Sequence, residues 1–418
     1  MSDICKVQVL SKAFNAGRAL IIFAGMPQKT LPIELWFDII ESAYYDLYAS
    51  VDYATLSSCS RVCTSWTEPS QKLLFRSVDF TRYEFRKYRS LVEHIKPSTT
   101  RGKILGSYIR VLEVSIDVIS SPQCGLPQHE FARLILCCPR LYHLTLRSTL
   151  YKFDNDTMTL LRAVTSVANG AHLRGLYLAK CGRQSPILYQ LVSLWPGIQF
   201  LRLGARIYTP PPSQPLNIQL HELVLSYVEQ LPPNVLDWLL SNSETTLQVL
   251  EFRDEPGPQM KSIVARHGEH LHCLRLPCFN KVAAEVVGLC PKLKELTLII
   301  YHNTALTRLG DLPSSIEHFA FKNMAKRTRH RPVLDIINTL PNLRVVTCYQ
   351  DPWQHADLSA LQGACDLRSV VLRFDRTHLR LVGHLICSVR LPLTSGLQGD
   401  GFVTPPHYLC SRFTSNFP

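Results

Sequence analysis

A short pattern, L-x-x-L-x-L with other aliphatics or an aromatic admitted, recurs eleven times along this chain. The units are Ile109–Val114, Leu141–Leu146, Leu173–Leu178, Ile198–Leu203, Leu220–Leu225 and Leu247–Phe252. They continue at Leu271–Leu276, Leu293–Leu298, Ile316–Phe321, Leu343–Cys348 and Leu367–Leu372. Their fourth residues run from Leu112 to Val370, at a mean spacing of roughly 26 residues, within the ~20–29 typical of leucine-rich repeats. The first two intervals are longer than that. Side chains alternate across a strand, so the leucines of x-L-x-L-x point one way and the residues between them the other. One such unit cannot bury its apolar face alone, whereas stacked units share a continuous core. The expected fold class is α/β: a solenoid of about 11 leucine-rich repeats over residues 81–388. The alternative is a general α/β protein with leucine-rich strands.

Helices are expected between the strands. Asp237–Leu240, Met260–Ala265, Val282–Val287 and Val333–Ile337 carry apolar residues at helical spacing. Cys138-Pro-Arg-Leu141, Cys290-Pro-Lys-Leu293 and Leu340-Pro-Asn-Leu343 follow such segments, and proline, which cannot continue a helix, stops the chain before the next strand.

Composition sets outer limits. Hydrophobic residues make up 46% of the 418 and charged residues 19%, which excludes a mainly disordered chain. The apolar run Ala19–Gly25 is far shorter than the ~20 residues a membrane span needs. Fourteen cysteines, several inside apolar stretches, read as small hydrophobes of a reduced protein, cytoplasmic or nuclear. A secretory reading would rest on that same apolar run and one sequon, Asn155-Asp156-Thr157. The net charge is +12. Such an excess suits nucleic acid, an acidic partner or an anionic surface alike. Residues 1–28 and 389–418 lack periodicity and read as tails.

Residues 29–80 form a different unit. Pro32 suits the first turn of a helix, with Leu35, Ile39 and Ile40 as its apolar stripe. Leu56, Cys59, Val62, Cys63 and Trp66 are spaced as the stripe of one second helix. Helices this short are stable only when packed on each other or on a partner. Cys59 and Cys63 would hold a metal only if two further ligands approached, so packing is the expected role.

The order Leu31-Pro-Ile-Glu-Leu35, Val62-Cys63, Trp66 and then Leu74-Phe-Arg-Ser-Val78 resembles the F-box. It is similar to the form common in basidiomycete fungi, where the module precedes degenerate leucine-rich repeats. The stretch Glu41–Ala54 is longer than the family pattern. The resemblance implies docking on a Skp-type adaptor of a Skp–cullin–F-box ubiquitin ligase, with Leu31, Pro32, Leu35, Ile39, Leu56, Val62 and Trp66 as module core or adaptor surface. The alternative is a helical hairpin capping the solenoid.

No Walker loop, H-E-x-x-H, C-x-x-C or G-x-S-x-G occurs, and no nucleophile, base and oxyanion set assembles. Neither a catalytic role nor a cofactor is expected. His267, His270, His272, Cys273 and Cys278 are dense in metal-ligand types, but strand alternation turns His272 away from Cys273. Lys322–Arg331 is strongly basic and reads as a solvated loop, with a nuclear localisation signal or an anion-binding loop as alternatives. Between Arg76 and Lys96, Arg82, Arg86, Lys87 and Arg89 mix with Tyr83, Phe85 and Tyr88. Such interleaving can bind nucleic acid, but a linker packing its aromatics on the first repeat is the expected reading.

Partner contact is expected on the outward strand positions. Arg147, Tyr177, Phe200 and Arg202 form the best target-binding patch, because Tyr and Arg are enriched at interface hot spots. The loop Thr209–Pro215, stiffened by its prolines, would frame it. The expected function is a ubiquitin-ligase substrate receptor. Its rivals are a protein-interaction scaffold without ligase function and a basic nucleic-acid binder, the latter disfavoured.

Overall fold

A computed structural model describes residues 33–42, 44, 51–81, 85–116, 125–167, 173–255, 257–300, 312–323, 331–349 and 358–374. Leu31, Pro32, most of the basic stretch Lys322–Arg331 and both expected tails lie outside these residues.

Among the described residues three helices come first: α1 (Ile33–Ser42), α2 (Tyr53–Cys59) and α3 (Thr64–Arg76). The chain then alternates: β1 (Ser77–Asp79), α4 (Phe85–His94), α5 (Thr100–Tyr108), β2 (Val111–Ile116), α6 (Gln128–Cys137), β3 (His143–Ser148), α7 (Asn155–Val167) and β4 (Gly175–Lys180). It continues through α8 (Ile187–Leu194), β5 (Phe200–Leu203), β6 (Glu222–Leu225), α9 (Pro233–Leu240), β7 (Val249–Phe252), α10 (Pro258–His267) and β8 (Cys273–Leu276). The last elements are α11 (Lys281–Gly288), β9 (Glu295–Ile300), β10 (His318–Asn323), α12 (Arg331–Thr339), β11 (Val345–Cys348), α13 (Leu358–Leu367) and β12 (Val371–Phe374).

The strands form one parallel sheet in chain order, β1 to β12. Parallel neighbours need a crossover, and consecutive crossover helices pack side by side, as α6 does on α7 and α10 on α11. The register follows the leucines: Leu112, Leu144, Leu176, Leu201, Leu223, Leu250, Leu274, Leu296, Phe319 and Val346 are successive Cα partners. All are buried against the helix layer in one continuous core. From β3 to β11 each turn into a strand repeats one device. A carbonyl of the previous unit accepts two successive N–H groups, as the Arg110 carbonyl does from Tyr142 (2.8 Å) and His143 (2.9 Å).

Three expectations are corrected. The last unit lies two residues later than the repeat pattern predicts: Val346 pairs with Leu372, not Val370. Leu367 closes helix α13 and is 88% exposed, and the chain turns at Ser369 through a left-handed φ of 54° before β12 begins. The second helix of the N-terminal unit is two helices. Ser60 ends α2, and Cys63, fully extended, starts α3, so Cys59 and Cys63 do not share a helix. The end of that unit also enters the sheet, because Val78 pairs with Leu112.

The proline loop belongs to the helix layer and does not frame the outward strand face. Tyr189 of α8 donates its hydroxyl to the Thr209 carbonyl (2.5 Å), and Trp238 of α9 donates its indole N–H to the Gln214 carbonyl (2.8 Å). The loop stands where a crossover helix would lie between β5 and β6, with Ile207, Leu216 and Ile218 buried. Tyr88 of α4 is buried on the first repeat, its ring edge-on to Phe80 and its hydroxyl donating to the Glu130 carbonyl (2.9 Å).

Candidate functional site

The N-terminal helices enclose their own small core of Ile40, Tyr44, Leu56, Cys59, Trp66 and Leu73, separate from the core under the sheet. Asp52 caps α2 by accepting the Thr55 N–H (2.9 Å), which fixes where the helix starts. Arg76 reaches back from α3 to Glu41 of α1 (3.6 Å). The seven residues singled out in the sequence therefore divide. Leu56 and Trp66 are core. Leu35 (44% exposed), Ile39 (39%) and Val62 (41%) present apolar side chains to solvent. Leu35 and Ile39 stand four apart on α1 and share one face of it. Leu31 and Pro32 lie outside the described residues.

The second surface is the face of the sheet opposite the helices. Tyr177 and Arg202 are direct partners across β4 and β5, and Phe200 sits opposite Gly175 and Glu222. The Arg202 guanidinium stacks on the Tyr177 ring, 4.1 Å from its centroid. That ring leans over Gly204, where an added Cβ would come within 3.0 Å of it. Arg202 is only 3% exposed, so it braces Tyr177 more than it offers a free fork of donors. Arg147 is exposed. A register shift after Leu146 pairs it with Lys180, so it stands beside a second cation.

Further along the face lies a ladder of ionisable side chains that sequence reasoning followed only as far as Arg275. Arg253 binds Glu251 (2.9 Å), Arg275 reaches Glu251 (3.5 Å) and Glu295 (3.7 Å), and His318 approaches Glu295 (3.4 Å) and Thr347 (2.9 Å). Glu295 and His318 could have been found, because they precede Leu296 and Phe319 as Glu222 precedes Leu223. Burial works against the Glu295 carboxylate, but the hydrogen bond with His318 and the charge of Arg275 hold its pKa at about 2. Glu222 has no such partner: its Oε1 is buried without a hydrogen bond. Burial, followed by the charges of Glu251 and Glu295, raises its pKa to about 7 against the pull of Arg275 and Arg202. Burial and then Arg202 push His143 down to about 4.

Among the described residues, no group of three or more His, Cys, Asp or Glu side chains converges to hold a metal ion. No described helix is long and apolar enough to cross a membrane. No protein-family model matches the sequence, and no curated protein matches it. Two surfaces stand out, one apolar on α1 and the α2–α3 turn, and one polar and aromatic on the sheet.

Proposed function

We propose that this protein is the substrate-recognition subunit of a Skp–cullin–F-box ubiquitin ligase, with α1–α3 as an F-box-like module and the repeats as a leucine-rich-repeat solenoid. The observation that carries the reading is the division within the module. Leu56 and Trp66 are spent on its core while Leu35, Ile39 and Val62 remain exposed, leaving apolar side chains for an adaptor to cover. The module runs directly into β1, so an adaptor held there would fix the sheet relative to the ligase scaffold. The chain would act by proximity, carrying a target protein on the outward face around Arg147, Tyr177 and Phe200, and would catalyse nothing itself. Such a receptor works in the cytoplasm or nucleus.

The test is capture of a Skp-type adaptor by the full chain. Leu35→Asp with Ile39→Asp should abolish capture while leaving the thermal unfolding curve unchanged, since neither side chain is buried. Leu31→Ala with Pro32→Ala should do the same. Undiminished capture by both double variants removes the module as the docking site.

A further inference from the structure

The loops that leave the C-terminal ends of β3, β4 and β5 share a charge pattern that the two loops after them do not continue. Residues 147–153, 180–186 and 204–210 contain Arg147, Lys152, Lys180, Arg183 and Arg206 and no Asp or Glu. The next two such loops reverse the sign, with Glu229 after β6 and with Asp254 and Glu255 outweighing Arg253 after β7. Asp154, the last residue of the loop after β3, is engaged in capping α7, accepting the Thr157 N–H at 2.6 Å.

These cations are not neutralised within the fold. Among the described residues none of the five sits in an ion pair, and Arg147, Lys152, Lys180 and Arg183 are exposed. Arg206 is the one with an aromatic partner, its guanidinium 4.7 Å from the centre of the Tyr227 ring. Tyr227 takes a left-handed φ of 61°, a conformation uncommon for a side chain of this size.

Thr149, Tyr151, Gly182, Arg183, Gln184 and Tyr208 line an open cleft of about 510 Å³ between these loops. Tyr151 is 63% exposed and Tyr208 41%. The Tyr208 N–H donates to the Arg183 carbonyl (2.8 Å), which fixes the wall against the loop that carries the cation. Arg147 and Lys180, Cα partners across β3 and β4, stand two residues before Thr149 and Gly182.

We propose that this cleft is a binding site for a phosphate monoester, held by Arg183, Lys180 and Arg147 with its carrier group against Tyr151 and Tyr208. A fork of guanidinium donors beside an ammonium suits a compact dianion. The volume admits one side chain or a small molecule. The acidic loops beyond β5 close the site to a polyanion that must run along the sheet. The site stands apart from the ubiquitin-ligase reading and shares only Arg147 with it.

The test is calorimetric titration of the full chain with phenyl phosphate, with phenol as the uncharged control. Saturable binding of phenyl phosphate alone is expected. Arg183→Gln and Lys180→Gln should each weaken it about tenfold or more, with circular dichroism unchanged because both side chains are exposed. Lys261→Gln, on the helix layer, should have no effect. A short peptide bearing phosphotyrosine separates the two sources of such a group. Tighter binding than phenyl phosphate assigns the site to a phosphorylated protein segment, and equal binding to a free phosphorylated molecule. Failure to saturate, or affinity unmoved by Arg183→Gln, overturns the proposal. So does a single-stranded oligonucleotide that binds more tightly and gains affinity with length. Adaptor capture by these variants should be normal, so failure here leaves the ligase reading untouched.

Discussion

Glu222 shows what a single side chain costs when the sheet buries it without a partner. The carboxyl is raised from its usual range to about 7, by burial first and then by Glu251 and Glu295. Between the unfolded and folded values the folded chain holds the proton that the unfolded chain has released, so stability falls as pH rises through that interval. Glu222→Gln removes the penalty. The variant should melt higher than the natural protein at pH 8, and the difference should vanish below about pH 4.5, where Glu222 is protonated in both states. An equal gain at pH 4 and pH 8 would show that packing and not ionisation is responsible. Arg202 is a buried cation: burial and then the neighbouring Arg253 disfavour its charge, against the Tyr177 ring and the carboxylates of Glu251 and Glu222. Arg202→Ala should destabilise by about 1–3 kcal/mol in urea denaturation, from lost stacking and an unbraced Tyr177. Exposed Arg147→Ala should change stability by less than about 0.5 kcal/mol. Replacing Arg147, Tyr177 and Phe200 while keeping Arg202 is therefore the cleaner probe of target binding.

At the scale of elements, the hydrophobic pattern was legible wherever alternation and a proline stop agreed. Leu293–Leu298 follows Cys290-Pro and falls in register with its neighbours. The unit at Leu367 has no such stop, and a leucine that ends a helix matches the pattern as well as one that starts a strand. Only the turn at Ser369 separates the two. The break between α2 and α3 was hidden for a related reason. Helical spacing from Leu56 to Trp66 survives the interruption, because the turn Ser60–Cys63 preserves the side on which Cys59 and Trp66 face the module core. Strand β1 has three residues, too few for a period to show. In the candidate sites, sequence identified the types and positions of Arg147, Tyr177, Phe200 and Arg202. The stacking that buries Arg202 depends on the direction in which Tyr177 leans, which no spacing encodes. One consequence is testable in the module. Leu56 is fully buried in a small core, six buried side chains among the described residues, and Leu56→Ala should cost about 2–5 kcal/mol of the module's own stability. Hydrogen exchange should show α1–α3 losing protection while β5–β9 keeps theirs.

At the scale of the whole molecule, each strand among the described residues is hydrogen-bonded only to its neighbours in chain order. Stability in such an array is the sum of each unit's own contribution and its contacts with two neighbours. The position of a lesion along the chain should then matter as much as its severity. Leu296 is fully buried in β9, between Leu274 and Phe319. Leu296→Asp places an unpaired charge there at a cost on the order of several kcal/mol. It strikes the strand whose Glu295 also joins Arg275 of β8 to His318 of β10, so both interfaces of the unit weaken together. The expected result is a split array. Amide protection in β10–β12 should collapse, since those strands keep support on one side only, while β2–β7 remain protected and the urea transition separates into two steps. Leu372→Asp offers the contrast. Leu372 is only half-buried in β12, the last strand of the sheet, so the same charge should fray β12 and leave the main transition near its original midpoint. Equal loss of protection from β2 to β12 in both variants would mean that the sheet unfolds as one cooperative body, and the nearest-neighbour description would fail.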